Sequence, residues 1–405
     1  MRKRLLIVGG SYAASELACQ ARESGYAEEI LIVSDEGDLP YHRPPLSKSY
    51  LKDPGEELMP LRAEAFYRDK AIEVELGSKV VAIDGRGNRA TLSNDVVIPF
   101  DTLALTTGAR ARTLPGLETC PGNLHYVRSV ADARNLRLAI PGAEKVVIIG
   151  AGFIGLEVAS ALVRQNKHVT VVEAADRVLA RAVSPELSRL LSAIHAQNGV
   201  NLITSRKVRP IIGPSGQINR LEMDDSLILK ADIVVVGVGS QPNLELAQQL
   251  ELHVGNGIIV DNRSRTSKSN VFAAGDCATF AGEFNRAGIR LESVQNAIDQ
   301  ARIAGNAIAG GDKVYHAVPW FWSDQYESKI QIAGLSSETT HSESRRGEKS
   351  DVSVFHFRDD VCVSVESVNR PRDHMAARRL LAGGKDITRR RLQEVDFNIS
   401  ALLNA

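Results

Sequence analysis

Residues 146–157, VVIIGAGFIGLE, constrain this chain more than any other stretch. Four apolar, mostly β-branched residues predict a buried parallel strand. Gly150, Gly152 and Gly155 then form a G-x-G-x-x-G turn, and apolar Leu156, Val158, Ala159 and Leu162 predict a helix. A second β-rich run, 168–172, ends on Glu173. Strand, glycine turn, helix, strand and acid fit within about thirty residues, the span of one dinucleotide-binding unit. The three glycines serve a tight turn, close backbone approach to a pyrophosphate, and close packing of helix on strand. The pyrophosphate is expected on N–H groups at the positive end of the helix dipole. Glu173 stands where a carboxylate accepts hydrogen bonds from the adenosine ribose. Arg177 and Arg181 follow and suggest a 2′-phosphate, but the like charge of Glu173 opposes one, so NADH is expected over NADPH. Another buried strand, 233–238, closes this part before Gly239. The candidate nucleotide contacts here are Gly150, Gly152, Phe153, Ile154, Gly155, Glu173, Arg181, Gly237 and Gly239.

The pattern occurs twice. A strand at 5–8 leads into Gly9-Gly10-Ser11-Tyr12-Ala13-Ala14, so that Gly9 falls on Gly150, Ser11 on Gly152, Ala14 on Gly155 and Glu16 on Glu157. A second strand, 30–33, and Asp35 complete the first copy. Two such units imply two dinucleotides. A third nucleotide-related feature, at 271–277, delivers Gly275-Asp276 at the end of a buried strand, ahead of Ser293-Val294 and a helix over 295–309. Its aspartate suits a polyol. FAD has a ribityl chain and NAD has no such polyol, so FAD is assigned to the first unit and a nicotinamide nucleotide to the second.

With 405 residues the chain accommodates two or three domains, each with its own core. Lys plus Arg equals Asp plus Glu at 49 each, so no global field selects nucleic acid or an anionic membrane. No apolar run approaches the roughly 18 residues that cross a bilayer. The short run after Arg2-Lys3-Arg4 reads as a first strand rather than a signal peptide. Cys19, Cys120, Cys277 and Cys362 are scattered without metal-like spacing, as expected of reduced thiols in a cytoplasm. A proline-stiffened loop at 40–48 presents Arg43 and Lys48, and a strand at 102–107 closes on Thr107-Gly108. From Trp320 the pattern becomes that of a small α+β domain, opening on the aromatic run 320–325. That run suits either an interface core or the edge of a flavin pocket. The expected division is 1–110 and 244–319 for FAD, 111–243 for NAD and 320–405 for the last domain.

Five motifs together carry a resemblance: RPPLSK (43–48), IGAGFIGLEVA (149–159), AAGDCA (273–278), ESVQNA (292–297) and PWFWSDQY (319–326). Over nearly its whole length the chain resembles the FAD-dependent NADH:ferredoxin reductases of bacterial oxygenase systems, the family of putidaredoxin reductase and biphenyl dioxygenase ferredoxin reductase. The resemblance implies an α/β, glutathione-reductase-like fold: two Rossmann-like dinucleotide-binding domains plus a C-terminal domain. It implies FAD contacts at Ala13, Asp35, Lys48, Val80, Arg128, Asp276 and Val294. With the motif residues, the FAD set also takes in Gly9, Ser11, Tyr12, Ala14, Arg43, Thr107, Gly108, Gly275 and Ser293. It places Lys48 and Glu157 together beside the flavin as catalytic residues, with Trp322 bordering the pocket. Ser11 and the Thr106-Thr107-Gly108 turn depart from the usual glycine and Ala-Thr-Gly.

The expected chemistry is hydride from NADH to FAD, then single electrons to a [2Fe–2S] ferredoxin feeding a P450 or Rieske-type oxygenase. Disulfide reductases of this fold carry cysteines near the flavin. Here the loop reads Pro44-Pro45-Leu46-Ser47. Arg302 is the candidate docking residue for an acidic ferredoxin, and the protein is expected as a monomer or homodimer. The competing expectations are a stand-alone NADH oxidase or diaphorase, and a redox-sensing interaction protein resembling apoptosis-inducing factor.

Overall fold

The computed structural model describes residues 3–404 apart from 54, 116, 118–121, 283–284, 338, 349 and 385. Two compact units emerge. The first comprises Met1–His42, Leu58–Arg110 and Gln241–Pro319; the second comprises Arg43–Glu57, Ala111–Ser240 and Trp320–Ala405.

The first unit is built on a parallel sheet of five strands in the order Val271–Ala273, Thr102–Leu105, Arg4–Val8, Glu29–Val33, Ile72–Glu75. Leu5, Leu6 and Ile7 on the central strand are wholly buried, because both sheet faces are covered. On one face the helix Tyr12–Glu23 packs against the helix Val294–Ile308 through small side chains: Ala14, Ala18 and Ala21 against Ala297, Ala301 and Ala304. Gly305 lets the backbones meet, since a Cβ there would lie 2.6 Å from the Leu17 carbonyl oxygen. The other face carries a second core, which includes Val80, Ile98, Phe100 and Leu250.

The second unit repeats the plan, with parallel strands in the order Asn201–Ile203, His168–Val172, Lys145–Ile149, Ile233–Val236, Leu124–His125. Its C-terminal part is an antiparallel sheet, ordered Trp320–Gln325, Ser328–Gly334, Val361–Val368, Val352–Arg358, His341–Arg346. Strand alternation sorts that sheet into two characters. Phe355, Phe357 and Val365 join the core formed with Ala376 and Ala377 of the helix Pro371–Ala382. Ser323, Gln325 and Glu366 instead hydrogen-bond to Glu157, His195 and Ser184 of the nucleotide-binding part.

Sequence order placed 43–57 within the span 1–110, yet this segment groups with the second unit. Tyr50 and Leu51 are buried, the Arg137 guanidinium lies 4.0 Å over the Tyr50 ring, and the Gln165 amide donates to the Leu51 carbonyl at 2.9 Å. Residues 320–405 also group with 111–240, and 241–243 group with the first unit.

Candidate active site

Both glycine turns have the shape a dinucleotide needs. Gly150 has φ +101°, open to glycine at little cost, and a Cβ there would lie 2.5 Å from the Gly237 carbonyl oxygen. At Gly155 a Cβ would meet the Gly150 carbonyl oxygen at 2.2 Å, so this glycine serves helix-on-strand packing. Gly152 differs. Its φ is −76°, and a Cβ would find no described atom nearer than 3.8 Å. No crowding within the protein accounts for that glycine, and the space beside it is open to the close approach of a ligand. The helix it opens, Phe153–Val163, has no acidic residue in its first turn and no side-chain cap, leaving the positive dipole end for an anion. The residues present fit a bound dinucleotide.

In the first unit Gly9 has φ +119°, and a Cβ would meet the Thr106 carbonyl oxygen at 2.3 Å. Ser11 takes φ −134° and ψ −160°, extended backbone that any residue adopts, so its departure from glycine carries no strain. Ala14 is fully buried where the second unit has Gly155. Tyr12 and Ala13 begin the helix, the Tyr12 hydroxyl lying 2.9 Å from His42 Nδ1.

The two acids differ more than the repeat suggests. Glu173 Oε2 accepts the Ala151 N–H at 2.7 Å, and Oε1 accepts the Ala175 N–H at 2.8 Å. The carboxylate therefore clamps the glycine turn, while each oxygen keeps a lone pair for a ribose hydroxyl. In the first unit Ser34 is the residue that follows the strand, and Asp35 is exposed one position further on. Arg177 is committed to backbone, donating to the Val183 and Ala180 carbonyls. Arg181 Nη2 approaches Gly239, 3.6 Å from where its Cβ would be.

The remaining first-unit candidates sit on supports that motif reading did not name. Val80 is buried at the start of its strand. Asn243 brackets the Thr107-Gly108 turn: its amide donates to the Thr107 carbonyl at 2.8 Å, its N–H donates to the Gly108 carbonyl at 3.0 Å, and the Thr107 hydroxyl donates to its carbonyl. Gly275 has φ +85°, and its N–H donates to Oε1 of fully buried Gln300 at 2.9 Å. Ser293 caps the helix that begins at Val294 by accepting the Asn296 N–H, and the Asn296 amide donates to the Leu291 carbonyl. The largely buried Arg290 donates to the Asp276 carbonyl and pairs with Glu292. The Asn243, Gln300 and Arg290 bonds join residues distant in sequence, which no periodicity announces.

In the second unit the Arg43 guanidinium donates to the Arg128 carbonyl at 2.9 Å. Lys48 Nζ lies 2.8 Å from Glu157 Oε2, with the carboxylate only 3% exposed and the lysine side chain 17%. Glu157 lies one turn inside the helix that starts at Phe153. Ser47 donates to Oε2 at 2.5 Å and Ser323 donates to Oε1 at 2.6 Å. Lys48 also donates to the Pro44 carbonyl. Removing one member of such a buried pair costs about 3–5 kcal/mol, because the other charge stays behind. Trp322, half-buried on the same strand as Ser323, lies 5.5 Å from the Trp320 ring, and Phe321 packs on Phe153 at 4.5 Å.

Arg302 is half-exposed and donates to Glu16 at 2.7 Å, a carboxylate shared with Arg62 at 2.9 Å. Cys19, Cys277 and Cys362 are buried and free; Cys120 lies outside the described residues. Burial, then the neighbouring Glu23, pushes the Cys19 thiol up to about 11, and burial pushes Cys362 up to about 12 and raises Cys277. Thiols so held are poor nucleophiles.

Two glycine-turn units and a buried lysine–glutamate pair define a dinucleotide-dependent oxidoreductase. The chain belongs to the pyridine nucleotide-disulphide oxidoreductase family, matched over residues 3–301, with the reductase C-terminal domain following over 320–403. Its cofactors are FAD and NAD(H). It is 41% identical to rhodocoxin reductase of Rhodococcus erythropolis, across 98% of this chain and 93% of that protein. Among solved structures it is similar to the ferredoxin reductase for the CYP199A2 system from Rhodopseudomonas palustris, with 36% identity, TM-score 0.93 and 99% of each chain covered. It is also similar to the covalent putidaredoxin reductase–putidaredoxin complex, with 32% identity, TM-score 0.94 and coverage of 99% and 98%. Among the described residues, no helix is long and apolar enough to cross a membrane.

Proposed function

We propose that this protein is an NADH-dependent ferredoxin reductase, carrying electrons from NADH through FAD to a [2Fe–2S] ferredoxin that serves a P450 or Rieske-type oxygenase in the cytoplasm. Bound FAD supplies the conversion of two electrons taken together into electrons released singly. The first-unit set holds FAD: the turn from Gly9 to Ala14 takes its pyrophosphate, Asp35 and Val80 its adenosine, and Asp276 its ribityl chain. Thr107, Gly108, Gly275, Ser293 and Val294 complete that set, and Arg43 and Arg128, which belong to the second unit, are proposed as further FAD contacts. The second glycine turn takes NADH, whose ribose Glu173 reads. Lys48 keeps a positive charge beside the flavin ring, Glu157 fixes it there, and Trp322 borders the ring.

The observation that carries the reading is the Lys48–Glu157 pair, at 2.8 Å, whose lysine ends a loop that offers serine where disulfide reductases of this fold offer cysteine. Without a thiol in that loop, electrons have no covalent store beyond the cofactor. Anaerobic titration tests this. The flavin bands should bleach at one equivalent of NADH and not with NADPH, and the reduced protein should then reduce a [2Fe–2S] ferredoxin much faster than oxygen. A colourless protein, or oxygen as the faster acceptor, overturns the reading.

Arg302 is proposed as one contact for the acidic ferredoxin. Glu16 neutralises part of its charge, and Arg62 shares that carboxylate, which leaves the half-exposed Arg302 guanidinium with donors to spare. Arg302→Glu should slow ferredoxin reduction and flatten its salt dependence, leaving flavin bleaching by NADH unchanged. Unaltered salt dependence sinks the docking assignment. Whether the protein is a monomer or a homodimer is read from its mass in solution.

A further inference from the structure

A line of buried side chains runs away from Glu157. Ser323 Oγ lies 2.6 Å from Glu157 Oε1, and the Gln325 amide nitrogen lies 3.2 Å from Ser323 Oγ. Gln325 Oε1 lies 2.8 Å from His195 Nε2, and the Tyr326 hydroxyl lies 3.1 Å from His195 Nδ1. Ser323, Gln325 and His195 are each 0% exposed. They come from one strand of the C-terminal sheet and from the last turn of the helix Pro185–Gln197, all within the second unit. Alternation along the strand puts Ser323 and Gln325 on one face, which is why a serine and a glutamine two apart join the same line.

The proton positions in this line follow from its first member. An ionised carboxylate only accepts, so the single Ser323 proton goes to Glu157. Ser323 Oγ must then accept from Gln325, which fixes the amide nitrogen toward the serine and the amide oxygen toward His195. That oxygen also only accepts, so His195 carries its proton on Nε2. Its bare Nδ1 accepts the hydrogen bond that the Tyr326 hydroxyl donates. Every link therefore donates in one direction, and links so aligned polarise one another. On the opposite carboxylate oxygen, Ser47 and Lys48 donate as well. A proton placed on Oε2 would face the Lys48 ammonium, and one on Oε1 would require the amide to turn over and the imidazole to change tautomer.

We propose that Tyr326, His195, Gln325 and Ser323 form a single donor chain whose task is to hold Glu157 ionised and aligned on Lys48. The inference rests on the reading that this pair stands beside the flavin. The four are positioning residues: they act through Glu157 and not on substrate.

The test uses the FAD-loaded full-length protein, and neither readout depends on turnover. With nitrogen-15-labelled histidine, long-range proton–nitrogen correlation reports each tautomer, and His195→Gln assigns the resonance. His195 should be neutral with its proton on Nε2. In Ser323→Ala the amide loses the acceptor that fixed it, so the Nε2–H tautomer should lose its dominance although His195 is two links away. Ser323→Thr should restore it. With carbon-13-labelled glutamate, assigned through Glu157→Gln, the Glu157 carboxyl resonance should move from its wild-type position in Ser323→Ala and, through the broken line, in Gln325→Leu. A wild-type Nδ1–H tautomer, an unmoved tautomer in Ser323→Ala, or a Gln325→Leu carboxyl resonance that stays where it is in wild type each overturns the chain. Loss of flavin bleaching by NADH in the wild type would overturn the functional reading instead and leave these measurements standing.

Discussion

Two single residues hold their charge states for opposite reasons. Glu157 stays useful because three partners surround it, Lys48, Ser47 and Ser323, the last backed by the chain behind it. Glu157→Leu leaves the Lys48 ammonium nearly buried and unpaired, so urea unfolding should show a loss of about 3 kcal/mol. The companion Lys48→Met, Glu157→Leu double variant should recover much of it; a double variant as weak as the single one would mean that the cost is one of packing. His374 shows the reverse case. Burial first, then Arg378, depresses its pKa to about 4, and among the described residues neither ring nitrogen finds a partner. Unfolding returns the ring to its ordinary value near 6.5, so the unfolded chain binds the extra proton. The sign follows: stability is complete above pH 6.5 and is lost as pH falls toward 4. His374→Phe should flatten that part of the stability profile, read as denaturation midpoints between pH 7 and 4.5. Sequence gave no hint of His374, because a histidine in an amphipathic helix looks the same paired or orphaned. The Lys48–Glu157 pairing was legible through the resemblance, but Ser323 as its partner, 166 positions from Glu157, was not.

Among the elements, the strand–glycine–helix units were the most readable, since each repeats a local pattern with a period of its own. Gly150 and Gly9 take the left-handed backbone that the motif requires. What the pattern left out is how one helix lies on another. Gly305 sits inside a helix, where propensity alone favours alanine by about 1 kcal/mol. The Leu17 carbonyl oxygen, 2.6 Å from where a Cβ would stand, argues the other way. Overpacking of this kind costs about 1–3 kcal/mol, so it wins. Gly305→Ala should lower the melting temperature of the FAD-loaded protein, and an unchanged or higher value would show that the two helices can part. The Asn243 and Gln300 brackets escaped sequence reading for the same reason. Each is a polar residue in an unremarkable setting until the fold brings a turn to it.

Across the whole molecule, the order of nucleotide-binding and C-terminal segments could be read from where patterns start and stop. The assignment of 43–57 could not, because a segment flanked on both sides by one unit gives no sign that Tyr50 and Leu51 bury themselves in the other. Glu173 carries a consequence at this scale. Its two oxygens hold the N–H groups of Ala151 and Ala175, so the group proposed to read the ribose is also a structural pin of the turn. Glu173→Ser should therefore raise the KM for NADH without opening the site to NADPH; efficient NADPH use by this variant would show that the pin is dispensable. For anyone wishing to re-tune the protein to the phosphorylated nucleotide, the selectivity filter and the scaffold are one residue. Changing diet here means rebuilding the mouth, with a substitute anchor for the Ala151 N–H installed before the carboxylate is removed.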